Sequence, residues 1–391
     1  MGGALQGIRV IEIASYVTGP FAALLLADLG AEVIKIEQPG QGDPFRGWGE
    51  NLYSSNFRSL NRNKKSVTLD IRKDEAREVF FKLAAGADVV IENFRPGTME
   101  RRGLGYEDIK SLNPKVVYCS ISGFGQTGPY RDRPGYDTVG QAMSGLLSLV
   151  TDPEKPQGMG ISFSDHLTGI YACYGVLGAL VHRLISGEGQ RVETSLLRAT
   201  VSFTSETAVR YFETGVVPRR ATRVRTAGVF AFTDRDGLPF VIHLSSPEKF
   251  WRGLLTVVGN PEWAEDARFR DRHGRQKNHD ELNAMLQAIF REGSRGDWLR
   301  SLEEHDVPAA PLNTMDEVFA DPQVRTYGFP IEAEHPVMGK MKLVGSGVDL
   351  SLTPPAVTLA PPMLGEHTEE ILAGIGYDKA RIAKLKESGV I

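Results

Sequence analysis
Apolar runs that alternate with amphipathic stretches through the first half of the chain predict an α/β fold with a doubly wound parallel sheet, followed by a smaller α+β domain. Three observations carry this. Short apolar runs recur, each separated from the next by a helix-like stretch, and crossovers of that length join parallel strands. Gly and Pro punctuate the chain where helices should start and stop. Near residue 225 the texture changes to a hairpin followed by polar helices.

Taken in order, residues 8–13 (IRVIEI) form the first strand. Gly19-Pro20 opens a helix that Gly30 closes, and EVIKIE follows as the second strand. Residues 67–71 form the third strand, and 74–85 a helix closed by Gly86. Residues 88–91 are a strand and 106–112 a short helix before the strand KVVYCSI. A loop rich in Gly and Pro, SGFGQTGPYRDRPGYD, comes next, and long loops in α/β proteins carry function. A long helix then begins at Asp165. Leu167, Ile170, Tyr174, Leu177, Val181 and Leu184 recur at steps of three and four, which predicts their stripe as its core-facing side. The helix stops at Gly187, and GQRVETS is a further strand.

The second domain spans about 225–325. GVFAFTDRDGLPFVIHL reads as a β-hairpin around Asp236-Gly237, followed by three polar helices. PIEAEHP and MKLVGSG are β-rich, and a proline-rich linker leads to a final helix over 368–373.

Composition narrows the function. A net charge of −4 argues against a nucleic-acid binder, which needs a basic face. Cys119 and Cys173, the only cysteines, sit in apolar runs without neighbouring ligands, so they read as core residues rather than a disulfide or zinc site. The eight histidines are scattered without ligand spacing, and no metal is expected. ASYVTGP stands where a dinucleotide fold carries GxGxxG, and GxxxxGK[ST] is absent, so neither a nicotinamide or flavin cofactor nor ATPase chemistry is supported. The N-terminus lacks a signal-peptide pattern, and no run reaches the ~18 apolar residues of a membrane span, so a cytoplasmic location and no membrane partner are expected.

The run GIRVIEIASYVTGPFAALLLADLGAEVIKIEQPGQGD resembles the opening of the family III CoA-transferases. NRNKKSVTLD, DVVIENFRPGTMERRGLGYEDI, YCSISGFGQTGPYRDRPGYD and PPMLGEHTEEIL resemble the same family, in order and over nearly the whole chain. The resemblance implies a large Rossmann-like domain over 1–200, completed by 328–391, and a small domain over 225–325; 201–224 and 326–340 are read as linkers. It also implies an interlocked homodimer, with an acyl-CoA and a carboxylic acid as substrates and no permanently bound cofactor. The aspartate that opens the long helix in such transferases corresponds to Asp165, which implies a covalent nucleophile. A helix N-terminus would favour its ionised form; an aspartate there also serves simply as an N-cap.

By the same resemblance, Asn93, Phe94, Arg95 and Arg101 fall where the family contacts CoA. Lys64, Lys65, Val17, Thr18, Tyr136 and Asp137 are further binding candidates. Asn93 and Phe94 directly follow a predicted strand, the sheet end where α/β proteins bind ligands. The family also contains α-methylacyl-CoA racemases, which carry a histidine where Tyr136 stands. Tyrosine, with a pKa near 10, is a poor base at neutral pH. The racemases' glutamate aligns best with Ser246, with Glu248 close by. An inactive CoA-binding subunit is a third reading. His166 reads as structural or supporting. Formyl-CoA enzymes carry Gln at the place of Val17 and Arg at the place of Gln38, which turns the expectation away from formyl or oxalyl groups. Arg220, Arg223 and Arg225 stand where relatives carry a glycine- or histidine-rich loop, and suit the carboxylate of a dicarboxylic acid.

Overall fold
The computed structural model describes residues 2–391, in two compact units. The first comprises residues 2–147, 158–205 and 325–391; the second comprises 148–157 and 206–324.

The first unit is built on six parallel strands: β1 (Arg9–Ile13), β2 (Glu32–Glu37), β3 (Lys64–Thr68), β4 (Val89–Glu92), β5 (Val117–Ser122) and β6 (Arg191–Ser195). Their order is β3-β2-β1-β4-β5-β6, that of a doubly wound Rossmann-like sheet. Connections from β1 run one way to β2 and β3, and from β4 the other way to β5 and β6. The chain therefore parts between β1 and β4, which pair through Val10↔Val89 to Ile13↔Glu92. Ligands of such sheets lie beyond the strand C-termini at that point.

Side chains alternate across each strand and build two cores. Ile11, Ile34, Val67, Val90 and Tyr118 face the helix Asp74–Ala85 and the C-terminal helices Thr368–Gly374 and Lys379–Glu387. Val10, Val33, Val89, Ile91 and Cys119 face the helices Thr18–Asp28 and Phe163–Ser186. The tail thus completes the first unit: Thr68 donates its amide to Thr368 Oγ1, and Asp70 donates its amide to Val390 O. The helix Lys379–Glu387 was not foreseen, because only Ile382 and Leu385 of its polar run are buried.

Two expectations are corrected here. The third strand begins at Lys64, earlier than expected, because Lys64 and Lys65 pair with Val33 and Ile34 of β2. The stripe expected to face the core on the long helix is largely exposed. Tyr174 is 73 % exposed and Leu184 81 %, with Ile170 and Val181 also open; only Leu177 packs partly against the core. The buried face is Thr168, Ala172, Cys173, Val176, Ala179 and Leu180. Small residues lie there because the helix crosses Thr18–Asp28 closely: a Cβ on Gly169 would stand 2.9 Å from Thr18 O. The same helix has the length and mean hydropathy of a membrane span, although no unbroken apolar run reveals it.

Residues 201–224, expected as a linker, are mostly helical, in Leu196–Phe203, Ser205–Thr214 and Arg220–Thr226. In the second unit, β7 (Val229–Thr233), β8 (Pro239–His243) and β9 (Ala309–Pro311) form an antiparallel sheet. Phe230, Phe232, Phe240, Phe290 and Leu254 make its core with the helices Glu248–Val257 and His279–Phe290. The hairpin turns at Asp234, whose Oδ1 accepts from the amides of Asp236 and Leu238. In the first unit, β10 (Ile331–His335) and β11 (Gly339–Leu343) form a separate ribbon.

Candidate active site
A cavity of 320 Å³ opens where the sheet divides. The turn after β1 supplies Ser15, Tyr16, Val17 and Thr18; the turn after β4 supplies Asn93, Phe94 and Arg95. The loop after β5 adds Arg131, Arg133 and Tyr136, and Asp165 enters from the long helix. A groove of 290 Å³ shares Ser15, Pro44 and Phe94 with this cavity. Gln38, Leu69, Arg72, Thr98 and Arg102 line it farther out.

Asn93 braces the two turns. Its Oδ1 accepts from Ser15 N at 3.0 Å, and its Nδ2 donates to Ser15 O at 2.7 Å and Thr18 Oγ1 at 3.0 Å. The Asn93 amide is thus engaged by protein, and Phe94 is the neighbour that faces both cavity and groove. Tyr16 has a φ of 63°, uncommon for a residue with a side chain, and its amide donates to Asp43 Oδ1 at 3.2 Å. Its ring stands edge-on to Phe45 and to Tyr136.

Beneath this turn lies a buried charge cluster. Lys35 contacts Glu12 at 2.6 Å and Asp43 at 2.9 Å, and donates to Ala14 O. Lys64 contacts the other oxygen of Glu12 at 2.7 Å and donates to Pro20 O. The Lys64 ammonium is fully enclosed, and burial, only partly offset by Glu12, pushes its pKa down to about 8. Lys64 therefore sits under the cavity, not at it. Lys65 pairs with Glu32 and Glu370 and lines neither the cavity nor the groove. Arg101 lies beside the cavity, donating to Thr98 Oγ1.

Asp165 occupies the third position of the helix Phe163–Ser186, which starts two residues earlier than expected. Its ionisation also differs from expectation. Asp137 Oδ1 takes the Asp165 amide at 3.1 Å, so the neighbouring carboxylate, not Asp165, caps the helix. Burial first, and then the charge of Asp137, push the Asp165 carboxyl up to about 7. Asp137 lies behind the cavity wall, where Gln141 Nε2 donates to its other oxygen. His166 does not line the cavity; its Nδ1 is bonded to Ser162 O and its ring meets Phe21.

Of the sequence candidates, Val17, Thr18, Asn93, Phe94, Arg95, Tyr136 and Asp165 come together around one cavity. Val17 and Gln38, which differ from the formyl-CoA enzymes, line the cavity and the groove respectively. Sequence reasoning missed Ser15, Tyr16, Arg72, Arg102, Arg131 and Arg133. Arg131 and Arg133 lay within a loop already singled out; the other four carried no signal of their own. In the second unit, Arg225 is paired with Asp280 at 2.6 Å, and Arg220 and Arg223 are exposed. Glu248 is paired with Arg275.

The sequence pattern of CoA-transferase family III matches residues 5–368. The chain is 37 % identical to succinyl-CoA:glutarate CoA-transferase of Mus musculus, over 99 % of this chain and 90 % of that protein. It is 36 % identical to succinyl-CoA–D-citramalate CoA-transferase of Chloroflexus aurantiacus, over 99 % of this chain and 98 % of the other. The crystal structure of a CAIB/BAIF family protein from Brucella suis superposes with a TM-score of 0.84 at 35 % identity, covering 96 % of this chain and 100 % of that one. The chain belongs to CoA-transferase family III, and it moves coenzyme A from an acyl-CoA thioester to a free carboxylic acid.

Proposed function
We propose that Asp165 is the covalent nucleophile and that the acids exchanged are dicarboxylic. The observation that carries the first part is the position of Asp165: a carboxyl held in the cavity where the sheet divides, with a groove leading away from it. The groove suits the nucleotide of CoA, with Arg102 as a cation for its phosphates, Arg72 held by Asp70, and Phe94 at the passage to the cavity. That leaves the thioester end in the cavity beside Asp165.

An Asp165 oxygen attacks the thioester carbonyl, the C–S bond breaks, and an acyl-aspartyl anhydride forms with release of CoA thiolate. The thiolate then attacks the aspartyl carbonyl, releasing the donor acid and leaving an aspartyl-CoA thioester. The acceptor carboxylate attacks that thioester, giving a second anhydride and thiolate. The thiolate takes the acceptor's acyl group and restores the Asp165 carboxylate. A carboxylate whose conjugate acid titrates near 7 is a stronger nucleophile than an ordinary one. Tyr136 stands where the racemases carry the histidine that moves the α-proton, which supports transfer over racemisation.

The dicarboxylic acid class is supported by relatives named for succinyl-CoA with glutarate, D-citramalate and L-malate. The homodimer implied by the sequence resemblance is supported by the open apolar stripe of the long helix. Tyr174, Val181, Leu184 and Ile185 form a surface that a second copy would cover.

The test is to mix the protein with succinyl-CoA, quench with hydroxylamine and map peptides by mass spectrometry. A hydroxamate at Asp165 is expected. An unmodified Asp165 during active turnover would overturn the covalent route.

A further inference from the structure
The cavity holds more positive charge than its nucleophile uses. Arg95, Arg131 and Arg133 line it, against Asp165 as the one acidic side chain among the lining residues. Arg95 and Arg133 have no carboxylate partner among the described residues, and Arg131 has only the exposed Asp132, at 3.4 Å. No ion pair joins any of these guanidinium groups to Asp165 among the described residues, so the cavity keeps cationic groups for a ligand.

Arg131 and Arg133 are also held in place. Arg131 Nε donates to Gln126 O at 2.9 Å, and the amide of Arg133 donates to Tyr130 O at 3.0 Å. The Arg133 guanidinium stacks 4.0 Å over the ring of Tyr130, which in turn packs on Phe124. Arg131 Nη2 reaches over Gly97, where a Cβ would stand 3.1 Å away. Orientation by stacking and a single Nε bond leaves N–H groups of both forks available to a carboxylate.

We propose that Arg131 and Arg133 bind the second, unreacting carboxylate of a dicarboxylic acid while its first carboxylate exchanges CoA at Asp165. A plain acyl chain in the same place would strip water from these cations without replacing it. The neighbouring groove carries Arg102, and Arg72 paired with Asp70 at 2.7 Å, so the unpaired guanidinium groups Arg95 and Arg133 lie in the cavity itself. The assignment rests on the reading of Asp165 as the nucleophile.

The experiment measures kcat/KM for glutarate and for glutarate monomethyl ester as acceptors, with succinyl-CoA as donor. In a ping-pong reaction the acceptor's kcat/KM does not contain the donor half-reaction, so the ratio of the two reports recognition of the free carboxylate. The intact enzyme is expected to favour glutarate by about 30-fold or more, and Arg131→Gln and Arg133→Gln each to lower that ratio about tenfold. Arg131→Lys and Arg133→Lys, which keep the charge but lose the fork, are expected to recover part of it. A ratio near one in the intact enzyme overturns the proposal without any variant. So does a ratio that survives both Gln substitutions while the KM for succinyl-CoA rises, which would assign the arginines to the CoA phosphates. Hydroxylamine trapping run in parallel separates the two ideas. Trapping at Asp165 with an unmoved ratio rejects only the arginines, whereas turnover without trapping rejects the nucleophile.

Discussion

The backbone amide of Asp165 is bonded to the carboxylate of Asp137, 3.1 Å away, which places a second negative charge beside the Asp165 side chain. One acid caps the helix while the other, buried beside that negative charge, resists ionisation. Burial first, and that neighbouring charge second, raise a carboxyl with an ordinary pKa near 3.9 to about 7.

The pH dependence of the donor half-reaction follows. The nucleophile must be ionised, so kcat/KM for the acyl-CoA should rise with pH and level off above about 7. Asp137→Asn removes the second of the two causes, so the rising limb should move to lower pH while burial keeps it above an ordinary aspartate's. A pH–rate profile of both proteins checks this; an unshifted limb in the variant contradicts the coupling.

Stability should show the same group with a definite sign. The folded pKa of Asp165, about 7, lies above its unfolded value, so the native state holds an extra proton between roughly pH 4 and 7. Its contribution to stability is fully present below that window and lost as pH rises through 7. Asp165→Asn should therefore abolish transfer yet raise stability, by on the order of 2 kcal/mol at pH 8 and by less at pH 5. Urea denaturation at the two pH values measures the difference.

Lys64 and Lys65 are neighbours in sequence with different fates. Lys64→Met leaves Glu12 enclosed with one cation fewer, and should destabilise the protein by about 3 kcal/mol or more. Lys65→Met removes partly exposed pairs with Glu32 and Glu370, and should cost under ~1 kcal/mol. Equal losses in chemical denaturation would contradict the buried cluster.

The exposed stripe of the long helix predicts self-association. Light scattering on the purified protein should give twice the mass of the 391-residue chain. Leu184→Asp with Ile185→Asp should lower that mass or leave the protein aggregated, since both positions are more than four-fifths exposed within one copy. A monomeric parent protein would remove the argument.

Much of the fold was legible in the order of short apolar runs and Gly or Pro stops, because parallel strands buried on both faces leave nearly continuous apolar runs. Errors arose where periodicity and burial part company. On the long helix, the larger apolar residues mark the open face, since the close crossing at Gly169 admits only small ones. At β3 the buried side chain is an ammonium, so hydrophobicity could not mark the start of the strand. In the cavity, the run ENFRPG and the aspartate of the long helix were recognisable. Arg72 and Arg102 were not, because a groove-lining arginine looks like any surface arginine until the chain is folded.

By itself the sequence determined the succession of β-α-β units, the strand end followed by Asn93 and Phe94, and the aspartate that opens the long helix. These follow from local pattern, and from the resemblance carried by runs spread along the chain. Only the tertiary structure decided that Lys64 is an enclosed counter-ion, that Asn93 ties two turns together, and that Asp165 titrates near 7. Each of those depends on partners distant in sequence and on the exclusion of water around them. Charge and hydrogen-bonding energies are set by that surrounding space rather than by residue type.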